Sequence, residues 1–122
     1  MLSRGAVAAQ AGTAYLLCPE ATTSPLHRAA LRGASAADTV VTNVFTGRPA
    51  RGIRNRLVRE LGPLTDAAPD FPLAAAAVAP LRAAAEARGR DEFSSLWSGA
   101  RGCRFDGVPA AEITRRLAGV FR

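Results

Sequence analysis

The feature that most constrains this chain is an apolar segment that meets a Gly-Thr turn near its beginning. Residues 6–11 are alanine and valine apart from Gln10, and Gly12-Thr13 follow directly. Continuous apolarity over so short a range is typical of a parallel strand covered on both faces. Alanine is a poor strand former, so propensity alone does not make the segment a strand. The pattern predicts the end of a buried strand that runs into a turn.

The turn has the groups that a bound phosphate needs. Gly12 lacks the Cβ that would keep a ligand away from the backbone. Thr13 offers a backbone N–H and a hydroxyl. In (β/α)₈ barrels, phosphate sites often use the loops after strands seven and eight. A Gly-Thr pair in isolation is more often a plain turn, so its interpretation depends on the motifs that follow.

Length and composition limit the class of protein. The chain has 122 residues, whereas a complete (β/α)₈ barrel needs roughly 250. No apolar run approaches the ~20 residues of a membrane span, and residues 4–17 fit a signal peptide poorly. The net charge is +6, yet all sixteen basic residues are arginine. A basic surface selected for nucleic acid usually includes lysine and interleaved aromatic residues, so we expect neither a nucleic-acid nor a membrane partner.

Local signals predict a mostly helical chain. Ser24 and Pro25 suit a helix start, and Gly33 ends that helix. The predicted elements that follow are an extended segment at 38–45, a turn at 47–49, and helices at 51–61, 73–88 and 109–121, with a helical turn at 94–99. Ile53, Leu57 and Leu61 form the apolar stripe of the second helix. Pro80 predicts a kink or a break in the third.

Few side chains suggest chemistry of their own. His27 lies in the first turn of a predicted helix, and we interpret it as a packing residue rather than a general base. Cys18 and Cys103 lack metal-site or redox-pair spacing, which favours reduced cytoplasmic thiols. Arg48 and Arg51 are interpreted as structural anchors because guanidinium forks suit bidentate hydrogen bonds. We predict no metal site and name no catalytic residue.

Short motifs follow the turn in a fixed order. They are Gly12-Thr13-Ala14-Tyr15-Leu16, Cys18-Pro19-Glu20-Ala21, Ser24-Pro25-Leu26-His27-Arg28, Thr39, Thr42, Phe45-Thr46-Gly47-Arg48-Pro49-Ala50-Arg51-Gly52, Asn55, Phe71-Pro72-Leu73 and Leu96-Trp97-Ser98-Gly99. In this order they resemble the nitronate monooxygenases, FMN enzymes also called 2-nitropropane dioxygenases. The resemblance extends to about Gly99, and the Gly-Arg-Pro-Ala-Arg block is its most specific part.

The resemblance implies the C-terminal portion of a (β/α)₈ barrel, mostly helical on its own with one or two short strands. Residues 1–35 would carry the last barrel strand and its following helix, and residues 36–122 a C-terminal helical extension. Gln10, Ala11, Gly12 and Thr13 would contact the FMN phosphate. The substrates would be an alkyl nitronate and O₂, and the products a carbonyl compound and nitrite. The missing barrel portion would be a possible binding partner.

Departures from the family pattern leave alternatives open. The family's other flavin-binding segments and its catalytic histidine lie upstream of the part that this chain resembles, so the polypeptide alone is expected to be inactive. Ala100 stands where the family often has glutamine, and the sequence at 101–107 diverges. The alternatives are a related FMN-dependent enoyl-thioester reductase barrel, a non-catalytic remnant, and a basic helical nucleic-acid binder.

Overall fold

The computed structural model describes residues 5, 7–8, 10–33 and 38–119. A single 3₁₀ turn at Thr13–Tyr15 opens the ordered elements. The remaining helices and strands are α1 (Pro25–Gly33), β1 (Thr39–Thr42), β2 (Ala50–Ile53), α2 (Arg56–Leu61), α3 (Leu73–Glu86) and α4 (Ala110–Gly119). The described part is therefore mostly helical with two short strands, as predicted.

The strand expected at 6–11 is not formed. Val7, Ala8, Gln10 and Ala11 lie outside any helix or strand, and the other two residues of that range lie outside the described part. A strand needs a neighbour to accept and donate its backbone hydrogen bonds, and the described sheet contains only β1 and β2. With no strand to pair with in the described sheet, Val7, Ala8, Gln10 and Ala11 are exposed and irregular.

The two strands form an antiparallel hairpin. Thr39 pairs with Ile53 and Thr42 with Ala50. The connection turns at Gly47, whose φ of +82° is strained for any residue with a Cβ. A Cβ there would also lie 2.5 Å from backbone atoms of Pro69 and Phe71. Glycine at this position therefore allows both the turn and the close passage of the later chain.

The prediction of a helix from residue 51 was wrong at its beginning. Ala50–Ile53 are β2, and α2 begins only at Arg56. Asn55 caps α2, since its Oδ1 accepts a hydrogen bond from the Val58 N–H at 3.4 Å. An ion pair between Arg56 and Glu60, 2.7 Å apart, spans one turn of α2. The pairing of β2 with β1 overrides the helical spacing of the apolar residues.

The helical turn expected at 94–99 was also wrong. Trp97 is extended and forms an antiparallel bridge with Gly52. The Ile53 N–H donates to the Leu96 carbonyl at 2.8 Å. A Cβ at Gly52 would approach the Leu96 carbonyl oxygen to 3.0 Å. Residues 96–98 therefore form a short extended segment that is hydrogen-bonded to β2, and we call this segment the 96–98 rung.

Two small clusters form the described core. The first contains Leu17, Leu31, Ile53 and Leu96, which joins the turn after Gly12 to α1, β2 and the 96–98 rung. The second contains Val44, Phe45, Leu57 and Val58, with Trp97 packed against it. The Phe45 and Trp97 rings meet edge to face, with centroids 5.7 Å apart. Each cluster therefore packs against a residue of the 96–98 rung, Leu96 in the first and Trp97 in the second.

The two remaining helices lie further from the hairpin. α3 runs through Pro80 as one helix rather than two. Proline removes one hydrogen bond to the carbonyl four residues earlier, at Ala76, and Ala76 is exposed so that water can hydrate it. α4 buries Ile113 completely and contacts the 3₁₀ turn, where Tyr15 and Thr114 hydroxyls lie 2.9 Å apart.

Candidate functional site

A concavity of about 340 Å³ opens beside the Gly-Thr turn. Its lining residues come from three separate parts of the chain: Gly12, Thr13, Leu16, Arg51, Trp97, Ser98 and Gly99. Two of the four predicted phosphate contacts, Gly12 and Thr13, are therefore in the lining. Gln10 and Ala11 immediately precede them and are exposed, outside that lining.

Backbone hydrogen bonds hold the three parts together. Thr13 Oγ1 accepts from the Gly99 N–H at 2.8 Å. The Ser98 N–H donates to the Arg51 carbonyl at 3.2 Å. We call the Thr13–Gly99 contact the seam, because it joins the turn near the start of the chain to the 96–98 rung. The seam fixes the Gly-Thr turn against one edge of the hairpin.

The Gly-Thr turn keeps a hydrogen-bond donor and open space that a ligand could use. A threonine hydroxyl has one donor hydrogen as well as acceptor lone pairs, so Thr13 can donate to an anion while it accepts from Gly99. A Cβ built on Gly12 would meet no atom within 4 Å, and its φ is an ordinary −104°. Nothing in the described part of the chain requires glycine at position 12. Gly12 itself is part of the lining of the concavity.

Arg51 places a positive charge on the same wall. Its Nη1 lies 3.4 Å from both the carbonyl and the hydroxyl oxygens of Thr39, which are long contacts. These long contacts of Arg51 therefore support its predicted anchoring role only weakly. Arg48, the other predicted anchor, instead lies over the Phe71 ring at 4.1 Å.

The His27 side chain holds the part of the concavity that Trp97 forms. Its Nε2 lies 2.9 Å from the Trp97 carbonyl oxygen. A carbonyl can only accept, so Nε2 carries the proton and donates it. The half-buried ring thereby links the 96–98 rung to α1, a structural contact of the kind expected of a packing residue.

Arg28 has a structural role that the sequence reasoning missed. Its guanidinium donates to the carbonyl oxygens of Thr23, Cys18 and Ala21 at 3.1, 2.8 and 2.7 Å. Three carbonyls satisfied by one side chain fix the loop between the Gly-Thr turn and α1. The sequence feature that could have indicated this role is the position of Arg28 in the Ser-Pro-x-His-Arg motif.

The two cysteines lie near this loop as free thiols. Burial, reinforced by the negative charge of Glu20, raises the pKa of the Cys18 thiol above its usual range. A thiol that resists ionisation is a poor nucleophile. Among the residues that the structure describes, no group of His, Cys, Asp or Glu could hold a metal ion.

Comparison with known proteins identifies the family. A family model described as nitronate monooxygenase matches residues 1–118. The chain belongs to the nitronate monooxygenase family. A nitronate monooxygenase of Pseudomonas aeruginosa is 39% identical over 122 residues, which are 99% of this chain and 35% of that protein. A probable nitronate monooxygenase of Staphylococcus saprophyticus is 40% identical over 95 residues, covering 78% of this chain and 27% of that protein.

A solved structure extends the match to the fold. The nitroalkane oxidase from Streptomyces ansochromogenes superposes on 97% of this chain and 33% of its own, with a TM-score of 0.77 and 39% identity. This nitronate monooxygenase family chain thus spans about a third of the length of its relatives. The predicted fold class, part of a (β/α)₈ barrel that is mostly helical on its own, is confirmed. Within the described ranges, no helix has the length and apolarity to cross a membrane.

Several lining residues were not predicted as site residues. Trp97, Ser98 and Gly99 belong to a motif that matched the family, yet no role was assigned to them. Their closeness to Gly12-Thr13 depends on the seam, which joins residues 86 positions apart. No pattern of neighbouring residues in the sequence predicts a contact between positions so far apart.

Proposed function

We propose that this chain supplies FMN phosphate contacts and one wall of the flavin site in a cytoplasmic enzyme that oxidises alkyl nitronates with O₂. The products would be a carbonyl compound and nitrite. The observation that carries the proposal is Gly12, a glycine that the packing of the described residues does not require and that lines the concavity. Gln10, Ala11, Gly12 and Thr13 are the proposed phosphate contacts.

The donor set suits a phosphate. Thr13 keeps a hydroxyl hydrogen to donate, and Gly12 allows a ligand to approach the backbone. Arg51 adds a positive charge on the rim of the concavity. Leu16 and Trp97 supply apolar surface that would exclude water from a flat ring system.

FMN would supply the redox chemistry, and the chain's residues would position it. Thr13 would hold the phosphate while the seam keeps its hydroxyl aimed into the concavity. His27 would act indirectly, because its only described side-chain contact holds the Trp97 wall. The chain contributes no proposed acid or base, so we expect the 122-residue polypeptide to be inactive alone.

We further propose that residues 1–35 carry the last barrel strand and the helix after it, and residues 36–122 the helical extension. The irregular segment before Gly12 would become a strand when flanking strands are present. Alone, the chain should unfold at low denaturant or associate, because that segment has exposed apolar residues and no partner. A sharp cooperative melt of a monomer, recorded alongside sedimentation, would contradict this.

Flavin binding tests the proposed phosphate contacts. We would titrate FMN and riboflavin, which lacks the phosphate, into the purified chain and follow flavin fluorescence. We expect FMN to bind at least tenfold more tightly than riboflavin. Gly12→Ala should remove most of that difference without lowering the stability of the chain.

A matched control is Gly119→Ala, since a Cβ at Gly119 in α4 also meets nothing within 4 Å. It should leave both affinities unchanged. Equal affinities for the two flavins, or FMN binding unaffected by Gly12→Ala, would overturn the assignment. Absence of any saturable binding would show that this chain alone does not form the phosphate site.

A further inference from the structure

A second concavity, of about 250 Å³, lies beside the candidate site. Its lining is Ala14, Arg101, Gly102, Arg104 and Phe105. Ala14 directly follows Thr13, and the 101–105 loop directly follows the Gly99 end of the seam. The two concavities therefore occupy neighbouring parts of one surface and share no lining residue.

Both arginines of this second concavity lack a partner. Arg101 and Arg104 are exposed and form no ion pair or side-chain hydrogen bond with any residue in the described ranges. The carboxylates of the neighbourhood are engaged elsewhere. Asp106 pairs with Arg32 through two hydrogen bonds of 2.8 and 3.0 Å, and Glu20 accepts from the Ala110 N–H. Two uncompensated positive charges therefore share one concavity.

The loop that carries them is held in place. The Gly102 N–H donates to the Gly99 carbonyl at 3.1 Å, and the Gly107 N–H donates to the Leu17 carbonyl at 3.2 Å. The Cys103 thiol donates to the Phe105 carbonyl at 3.4 Å. Because hydrogen bonds hold the loop at both ends and at its centre, ligand binding would cost little conformational entropy in the loop backbone.

We propose that this concavity binds a phosphomonoester dianion. Arg101 and Arg104 match its two charges and can each donate a pair of hydrogen bonds to phosphate oxygens. The half-buried Phe105 ring and the Ala14 side chain give apolar surface for the organic group of the ester. The site is separate from the proposed flavin contacts and does not depend on them.

The experiment titrates phenyl phosphate into the wild-type chain without flavin, by calorimetry at a fixed ionic strength. We expect saturable one-to-one binding. The variant Arg101→Gln/Arg104→Gln should bind at least tenfold more weakly, about 1.4 kcal/mol. The control Arg54→Gln/Arg82→Gln also removes two arginines, outside both concavities, and should change the affinity less than twofold.

Circular dichroism of both double variants checks that neither pair of substitutions changes the fold. Equal weakening in the two variants would mean attraction to net charge alone and would overturn the site. No saturable binding by the wild type would do the same.

A competition arm separates this ligand from the flavin phosphate. At an FMN concentration just sufficient to fill the Gly12 contacts, phenyl phosphate should bind with unchanged affinity. If FMN displaces it, and Arg101→Gln/Arg104→Gln weakens FMN while Gly12→Ala does not, the flavin phosphate binds here instead. That outcome would overturn both the separate site and the Gly12 contact. Phenyl phosphate binding without any FMN binding would support the second site and show that this chain alone does not form the FMN phosphate site.

Discussion

Asn55 offers the sharpest test of how the hairpin and the loop after α3 are held together. It is 6% exposed. Its Nδ2 donates to the carbonyls of Ser94 and Asp91 at 2.8 and 3.1 Å, while its Oδ1 caps α2. One side chain thus satisfies two carbonyls on a distant loop and one N–H of its own helix.

Replacing Asn55 by alanine removes all three bonds. Loss of the cap costs about 1 kcal/mol. Each buried hydrogen bond contributes about 1 kcal/mol net, so the free energy of unfolding should fall by about 3 kcal/mol. Glu60→Ala is the control in the same helix, where an exposed ion pair is worth about 0.2–0.5 kcal/mol.

Urea unfolding followed by the fluorescence of the single tryptophan, Trp97, measures these changes. Sucrose in all samples would raise the baseline stability equally. A loss below 1 kcal/mol for Asn55→Ala would refute the reasoning, since it would mean that water replaces the side chain at both carbonyls.

The variant Asn55→Asp separates capping from donation. It keeps an acceptor for the α2 cap but sets a carboxylate against two carbonyl oxygens at neutral pH. Protonation restores one donor, so the destabilisation relative to wild type should shrink as the pH falls from 7 to 4. A pH-independent difference would show that the two carbonyls do not need a donor.

Three further predictions concern other parts of the chain. Gly47→Ala should cost at least about 2 kcal/mol in urea unfolding, because the left-handed φ and the 2.5 Å backbone overlap act together; a smaller loss would mean that the turn rearranges. Iodoacetamide at pH 8.5 should label the half-buried Cys103 before Cys18, whose pKa is raised by burial; mass spectrometry showing equal rates would contradict this. Hydrogen bonding to Arg32 lowers the pKa of Asp106 below its usual 3.8, so its stabilising effect is present above that pH and disappears as pH falls through the lowered value. Arg32→Gln should remove this part of the acid sensitivity of the urea midpoint, and an unchanged profile would exclude the pair as its source.

Local signals predicted the elements whose ends are marked by individual residues. Ser24 accepts from the His27 N–H at 3.2 Å at the start of α1, as expected of a cap. The β-branched residues of β1 likewise form a strand where one was predicted. The cap of α1 acts within three positions, and the partners of β1 in the hairpin are only 8 to 14 positions away along the chain.

Where long-range pairing decides the structure, local reasoning failed. Ile53 shares helical spacing with Leu57 and Leu61, yet it lies in β2 because its N–H is bonded to Leu96, 43 positions away. Trp97 is extended for the same reason. The proposed phosphate contacts rest on motif similarity, whereas the walls of the concavity were found only in the folded chain.

The seam between Thr13 and Gly99 also sets the order in which the site can assemble. It closes a loop of 86 residues, and closing such a loop costs about 4 kcal/mol of chain entropy. Because Leu17 and Leu96 of the first core cluster bring the same two parts of the chain together, we expect the concavity to form together with that cluster. A bound ligand would then slow unfolding of the whole polypeptide, and a protease cut in any loop between the two residues would release it.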